Sequence, residues 1–200
     1  MAELRQVYTS VDARDRIVDA ALTIFAELGY AGATMRVIAQ KAGVSSGLIH
    51  HHFKDKEGLW NLVGQRISDD FLETVSEGTD VDDAAEALRR VMANYQRYWR
   101  EHPQALRFQL WRVLGAPEDE RKERSKLLNQ FFVPKVKRAQ DAGVVRSDIP
   151  AGLAMLTVGG LMQYFLHSDI ETNDAIEATG DPVPDDTEIL NYLLGLITTP

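Results

Sequence analysis

The sequence predicts an all-α protein: an N-terminal three-helix helix-turn-helix domain (residues 1–56), then a larger C-terminal helical domain (residues 57–200). Three observations predict it. Thr34 to Phe53, TMRVIAQKAGVSSGLIHHHF, reads as two short helices joined by a glycine-centred turn. Every later segment long enough to judge repeats its apolar residues at helical spacing. The breaks between segments carry the Gly and Pro signals that end and start helices.

The first predicted helix spans Asp12 to Gly29, with Ile17, Ala20, Ala21, Ile24, Phe25 and Leu28 on one face and Gly29 as its stop signal. Thr34 is suited to cap the second, because its hydroxyl can accept an orphan backbone N–H. Val37, Ile38 and Ala42 give that helix an apolar stripe, while Arg36, Gln40 and Lys41 stay outside. Gly43 then supplies the left-handed conformation of a helix end at no Cβ cost. Ser45 or Ser46 caps a third helix from Ser46 to about His52. Phe53, apolar within a polar turn, is expected to plug the core. Asp55 is placed to cap a fourth helix, which carries Leu59, Trp60, Val63 and Ile67 inward and ends at Gly78.

Asp80 or Asp82 opens the next helix, through Arg100, with Leu88, Val91, Met92, Tyr95 and Trp99 on one face. Pro103 starts a helix that stops at Gly115. Pro117 and the acidic turn Glu118-Asp119-Glu120 start another, to about Ala142, and acid there complements the helix dipole. Pro134 inside it should bend it. Pro150 opens an uncharged helix running to about Ser168, Asp169 to Asp186 reads as a frayed helix end plus loop, and Ile189 to Ile197 forms the last helix.

From Ile17 to Trp60 the residues IVDAALTIFAELGYAGATMRVIAQKAGVSSGLIHHHFKDKEGLW resemble, without a gap, the N-terminal domain of the TetR family of transcriptional regulators. His50 stands where that family usually has tyrosine. Histidine can still donate to a phosphate there, and its charge change near neutral pH would make operator affinity pH-sensitive. The resemblance implies a homodimer bound to a near-palindromic double-stranded DNA operator, most simply a repressor released by an unidentified small-molecule effector. An activator or a ligand-independent regulator would use the same parts. The second helix of such a motif lies in the major groove and is read from its N-terminal residues.

The predicted DNA contacts are Ser45, Ser46, Gly47, His50 and His51 on the third helix, with Thr34, Arg36 and Lys56 resembling the family's flanking backbone contacts. Lys56 and the neighbouring helix N-terminus are expected to share one phosphate. Leu48, Ile49 and His52 read as packing residues, and Arg5 near the N-terminus as a candidate for the minor groove. For the effector pocket the resemblance implies the aromatics of the C-terminal helices: Tyr95, Trp99, Phe108, Trp111, Phe131 and Phe132, with Gln163 and His167 to orient the ligand. The same residues suit a plain core equally. For the dimer it implies the helix pair Ile149–Leu166 and Ile189–Ile197, through Leu156, Gly159, Gly160, Leu161, Tyr164, Leu193 and Ile197.

Composition narrows the remaining classes. The chain has 200 residues, is 44% hydrophobic and contains no cysteine, so disulfides and thiol chemistry are excluded. Its net charge of −8 is uneven. Residues 1–60 hold seven Lys/Arg and seven Asp/Glu, while residues 61–200 hold fifteen against twenty-three. Acidity is thus kept from the predicted DNA-reading part, where it would repel phosphate. No paired acid and base or metal-ligand spacing stands out, so neither an enzyme, a cofactor nor a metal is predicted. His50, His51 and His52 project about 100° apart around a helix and cannot converge on one ion. The uncharged run from Ile149 to Ser168 is long enough for a span, but three glycines, Pro150, Gln163 and His167 dilute it. No signal peptide is read at the N-terminus, and a cytoplasmic protein without membrane association is expected.

Overall fold

The computed structural model describes the backbone of residues 2–199 and the side chains of residues 13–199. Among these, ten helices account for the regular structure: α1 (Ala2–Gly32), α2 (Met35–Ala42), α3 (Ser46–His52), α4 (Lys56–Ser76), α5 (Ala84–Glu101), α6 (Pro103–Gly115), α7 (Glu118–Asp141), α8 (Ala151–His167), α9 (Asp169–Glu177) and α10 (Asp186–Gly195). They pack into two units. The first comprises Met1–Asp70 with His102–Ala116, the second Phe71–Glu101 with Pro117–Pro200. Packing therefore places the start of α4 and all of α6 with the N-terminal helices.

In the first unit, α1 packs on α2, α3 and α6. Ile17, Ala21 and Phe25 are fully buried, as the spacing predicts. α1 differs from the predicted helix at both ends. It begins at Ala2, earlier than Asp12, and it does not stop at Gly29 but breaks there and resumes to Gly32. Gly29 adopts φ 66° and ψ −180°, a region open essentially to glycine alone. Its missing Cβ also matters, because one built there would sit 3.1 Å from the Trp111 ring. The Trp111 indole N–H donates to the Ala26 carbonyl at 3.1 Å, which fixes the ring over the break. Phe25, Trp60 and Phe108 form an aromatic nucleus, with ring centroids 4.9 Å apart for Phe25–Trp60 and 4.4 Å for Trp60–Phe108.

In the second unit, α5, α7, α8 and α10 pack on one another. Phe71 at its start lies among Tyr95, Tyr98, Trp99 and Phe132, with centroids 5.1 to 6.1 Å away. The opening cap of α5 is Asp83 rather than Asp80 or Asp82: its carboxylate accepts from the backbone N–H of Ala85 at 2.8 Å and Glu86 at 3.0 Å. α7 continues through Pro134. Residues 169–177 form the helix α9, with no buried residue, before the Gly180–Pro184 loop. α10 opens with a capping box in which Asp185 and Glu188 each accept the other's backbone N–H at 2.8 Å. The chain end is pinned by an isolated bridge, Arg146 N–H donating to the Ile197 carbonyl and Thr199 N–H to the Val144 carbonyl. Among the described residues, no helix is long and apolar enough to cross a membrane.

Candidate nucleic-acid interface

The α2–turn–α3 segment is assembled by local hydrogen bonds that its sequence encodes. Thr34 is extended (φ −128°, ψ 149°), and its Oγ1 accepts from the Val37 N–H at 3.2 Å. Gly43 takes the left-handed conformation (φ 66°, ψ 35°), and the Val44 N–H reaches back to the Ala39 carbonyl at 3.0 Å. Ser45 then caps α3 through its Oγ, which accepts from Leu48 N–H at 3.1 Å. Each cap uses a lone pair of its hydroxyl, so the hydroxyl protons of Thr34 and Ser45 remain available to a phosphate oxygen. Ile38, Ala39 and Ala42 are the buried residues of α2; Val37, expected in the stripe, is only half-buried.

α3 has one inward and one outward face. Ile49 is fully buried, Leu48 and His52 are half-buried, and Phe53 closes the core behind them with the Arg14 guanidinium 5.7 Å from its ring centroid. The His52 Nε2 is enclosed without a hydrogen-bond partner, so this histidine is turned inward. Ser45, Ser46, Gly47, His50 and His51 are exposed. Positions 46, 47, 50 and 51 share one helix face. That face carries hydroxyl and imidazole groups, which can donate to or accept from base edges and donate to phosphates. Arg36 and Lys41 on α2 and Lys54 after α3 are exposed cations of the same unit.

Lys56 has partners in its own chain. Its ammonium donates to the carbonyls of Tyr30 at 2.7 Å and Ala33 at 3.0 Å and lies 4.2 Å from the Tyr30 ring centroid. Those carbonyls lie at the C-terminal end of α1, and binding them uses two of the three ammonium N–H groups. At the adjoining helix N-terminus, Asp55 Oδ1 accepts the Gly58 N–H at 2.8 Å. Arg5, considered for the minor groove, lies outside the residues whose side chains are described.

The predicted pocket residues belong to both units. Phe108 is fully buried in the aromatic nucleus of the first unit, and Trp111 covers Gly29 there. In the second unit, Gln163 Nε2 donates to the Tyr95 hydroxyl at 2.6 Å, and Phe131 stacks edge-on with Phe132. Burial pushes the Tyr95 phenol up to about 12, against a smaller opposing effect of the Gln163 hydrogen bond. His167 is exposed and shares a hydrogen bond with Ser168 through its Nδ1. The cavity among α5, α7 and α8, which Phe132 borders, holds about 10 Å³, room for one water. These aromatic rings pack against one another rather than around a void.

The predicted dimer residues divide by helix face. Leu156 is 63% exposed and Tyr164 49%, with Leu153, Gly160 and Leu161 also exposed, a stripe at spacings of three and four along α8. Gly159 is half-buried. Leu193 and Ile197 are corrected: both are fully buried within their own chain, facing α5 and α8. The exposed apolar residues of this region that the sequence reading missed are Leu153, Tyr192 and Leu196. The signal for Tyr192 and Leu196 is their offset from the buried stripe of Leu190, Leu193, Leu194 and Ile197, which marks a second face.

Comparison with known proteins places both parts. Residues 17–63 match the family described as bacterial regulatory proteins, tetR family, and residues 83–186 match the tetracyclin repressor-like C-terminal domain. The HTH-type transcriptional repressor AcnR of Corynebacterium efficiens is 31% identical over 160 residues, covering 78% of this chain and 81% of that one. AcnR of Corynebacterium glutamicum is 27% identical over 190 residues, 93% of each chain. Among solved structures, a TetR family transcription regulator from Marinobacter aquaeolei superposes with a TM-score of 0.73 at 18% identity, covering 98% of this chain and 100% of that one. A TetR-family regulator from Haemophilus influenzae gives 0.71 at 20%, covering 96% and 99%.

Proposed function

Because the chain belongs to the TetR family of bacterial regulatory proteins, whose members are transcription regulators rather than enzymes, we propose that this DNA-binding regulator is a cytoplasmic homodimeric repressor, held on a near-palindromic operator and released by a small-molecule effector. The observation that carries the DNA part is the exposed face of α3, presented by two hydroxyl caps and a glycine turn on a buried Ile49. Ser45, Ser46, Gly47, His50 and His51 read or hold the duplex, and Thr34 and Arg36 hold its backbone. Residues 1–56 carry recognition by role. Residues 57–200 carry dimerisation and the effector response, although packing divides the chain elsewhere.

The homodimer is supported by the α8 stripe with Tyr192 of α10 and Leu196 just after it. Large apolar side chains exposed together at helical spacing signal an interface, and a two-fold pairing of this pair would build a four-helix contact. Two α3 helices then enter successive major grooves about 34–36 Å apart, which requires a symmetric operator. Release follows if the effector favours the dimer whose α3 helices are wrongly spaced, by an amount set by its differential affinity for the two states.

Leu156→Arg tests the dimer. It places a charge in the middle of the stripe without entering the chain's own core. In analytical ultracentrifugation at micromolar concentration, the parent should sediment as a dimer and the variant as a monomer with unchanged helical circular dichroism. A parent that is monomeric at that concentration overturns the homodimer.

A further inference from the structure

We infer that the groove bounded by the end of α4, the α4–α5 loop, the start of α5 and the C-terminal half of α7 binds a small monocarboxylate with an apolar body, its carboxylate resting on Lys135. This groove holds about 300 Å³ and is lined by Ser76, Thr79, Asp80, Ala84, Lys135 and Arg138 together with Ala87. It lies wholly within the second unit.

The charge in the groove selects the ligand's sign. Lys135 is half-buried, its ammonium lies 4.1 Å from the Phe131 ring centroid, and among the described residues it has no hydrogen-bond or carboxylate partner. An ammonium whose contact is an aromatic face keeps its N–H donors for an arriving anion. Arg138 adds a second positive charge held in place: its guanidinium donates to the carbonyls of Val81 and Asp82, both at 2.7 Å, which also fixes the loop forming the opposite rim. Asp80 is the one acidic group of the lining, and it is exposed. Its charge is screened by water, so it opposes an anion at Lys135 only weakly. The Ser76 and Thr79 hydroxyls donate to the carbonyls of Glu73 and Ser76, at 2.8 and 2.9 Å, and have no proton left for the ligand. The cationic wall is therefore the one on α7.

The rest of the lining selects the body. Ala84 and Ala87 present methyl groups. Lys135 also borders the small apolar cavity beyond, shared with Leu88, Met92, Phe132 and Val158, so its stem separates a polar groove from an oily interior. At about 300 Å³ the groove is near the lower size limit of ligand sites. A carboxylate with a short aliphatic or aryl body satisfies each of these constraints. A bare inorganic anion would leave the methyl wall wet, and a neutral amphiphile would leave Lys135 unpaired.

The regulatory meaning of this site rests on the effector-released reading above; its occupancy does not. The test is isothermal titration of the full-length protein with octanoate, octanol and octylamine, without DNA. Octanoate should bind at least tenfold tighter than octanol, and octylamine should not bind. Lys135→Gln should weaken octanoate by about tenfold to a hundredfold, the usual worth of a charge-assisted hydrogen bond, and bring it level with octanol. Lys135→Arg should retain the preference, and Ala84→Trp, which fills the groove from a half-buried helix start, should remove binding of octanoate and octanol. No octanoate binding by the parent, equal affinity for octanoate and octanol, or an unchanged Lys135→Gln variant would each overturn the inference. Duplex binding by the same preparation is scored separately: DNA binding without octanoate binding defeats the site and leaves the regulator intact. Octanoate binding without DNA binding does the reverse.

Discussion

His50 is exposed on the outward face of α3, so a substitution there removes a contact without disturbing the core. If its ring donates to a phosphate, as proposed, His50→Ala should weaken binding to every duplex alike, by about 1 kcal/mol or roughly fivefold. Fluorescence anisotropy with an operator and a scrambled duplex checks this; a loss confined to one operator base would mean direct base readout instead. Tyr95 makes a different prediction at the same scale. Burial raises its phenol from 10.0 to about 12, so between those values the folded chain keeps a proton that the unfolded chain has lost. Stability is then fully present below pH 10 and declines as pH rises through about 12. Tyr95→Phe should flatten that decline in urea titrations at pH 9 to 12, while costing about 1 kcal/mol at neutral pH through the lost Gln163 hydrogen bond. Equal slopes for parent and variant would contradict the burial of this hydroxyl.

The helix boundaries from α2 to α4 were legible because caps are local. Thr34, Gly43, Ser45 and Asp55 each act on a backbone group within four residues, so the sequence holds both partners of every bond. The break in α1 was not legible in the same way. Gly29 reads equally well as a helix stop, and what keeps the chain helical beyond it comes from distant residues: Trp111 over the glycine and Lys56 on the carbonyls of Tyr30 and Ala33. The same dependence hid the carbonyl partners of Lys56, which lie 26 and 23 residues away in sequence. Gly29→Ala should cost about 2 to 3 kcal/mol, from the forbidden backbone region and the Trp111 contact together. Urea unfolding measures it; a loss below about 0.5 kcal/mol would mean the break relaxes at no cost. Leu193 and Ile197 failed for a related reason. An apolar stripe shows that a face is buried but not by which chain, and α10 spends its stripe on its own core while Tyr192 and Leu196 remain outside.

At the scale of the whole molecule, the all-α architecture and the separation of acidic charge from residues 1–60 followed from composition and periodicity. The grouping of Phe108 and Trp111 with the N-terminal helices did not, because α6 returns to the first unit after α5, and only the packing shows that return. The proposed pairing through α8 and α10 joins two copies, and its consequence reaches to the DNA: a two-fold dimer carries two α3 faces and demands two half-sites. The most direct test of that central claim is selection of bound duplexes from a random DNA pool at near-physiological salt, followed by sequencing. An enriched inverted repeat, with half-sites centred one helical turn or about 34–36 Å apart, is the predicted result. Recovery of no sequence above background, or of a single unrepeated half-site, would contradict a symmetric operator-binding dimer.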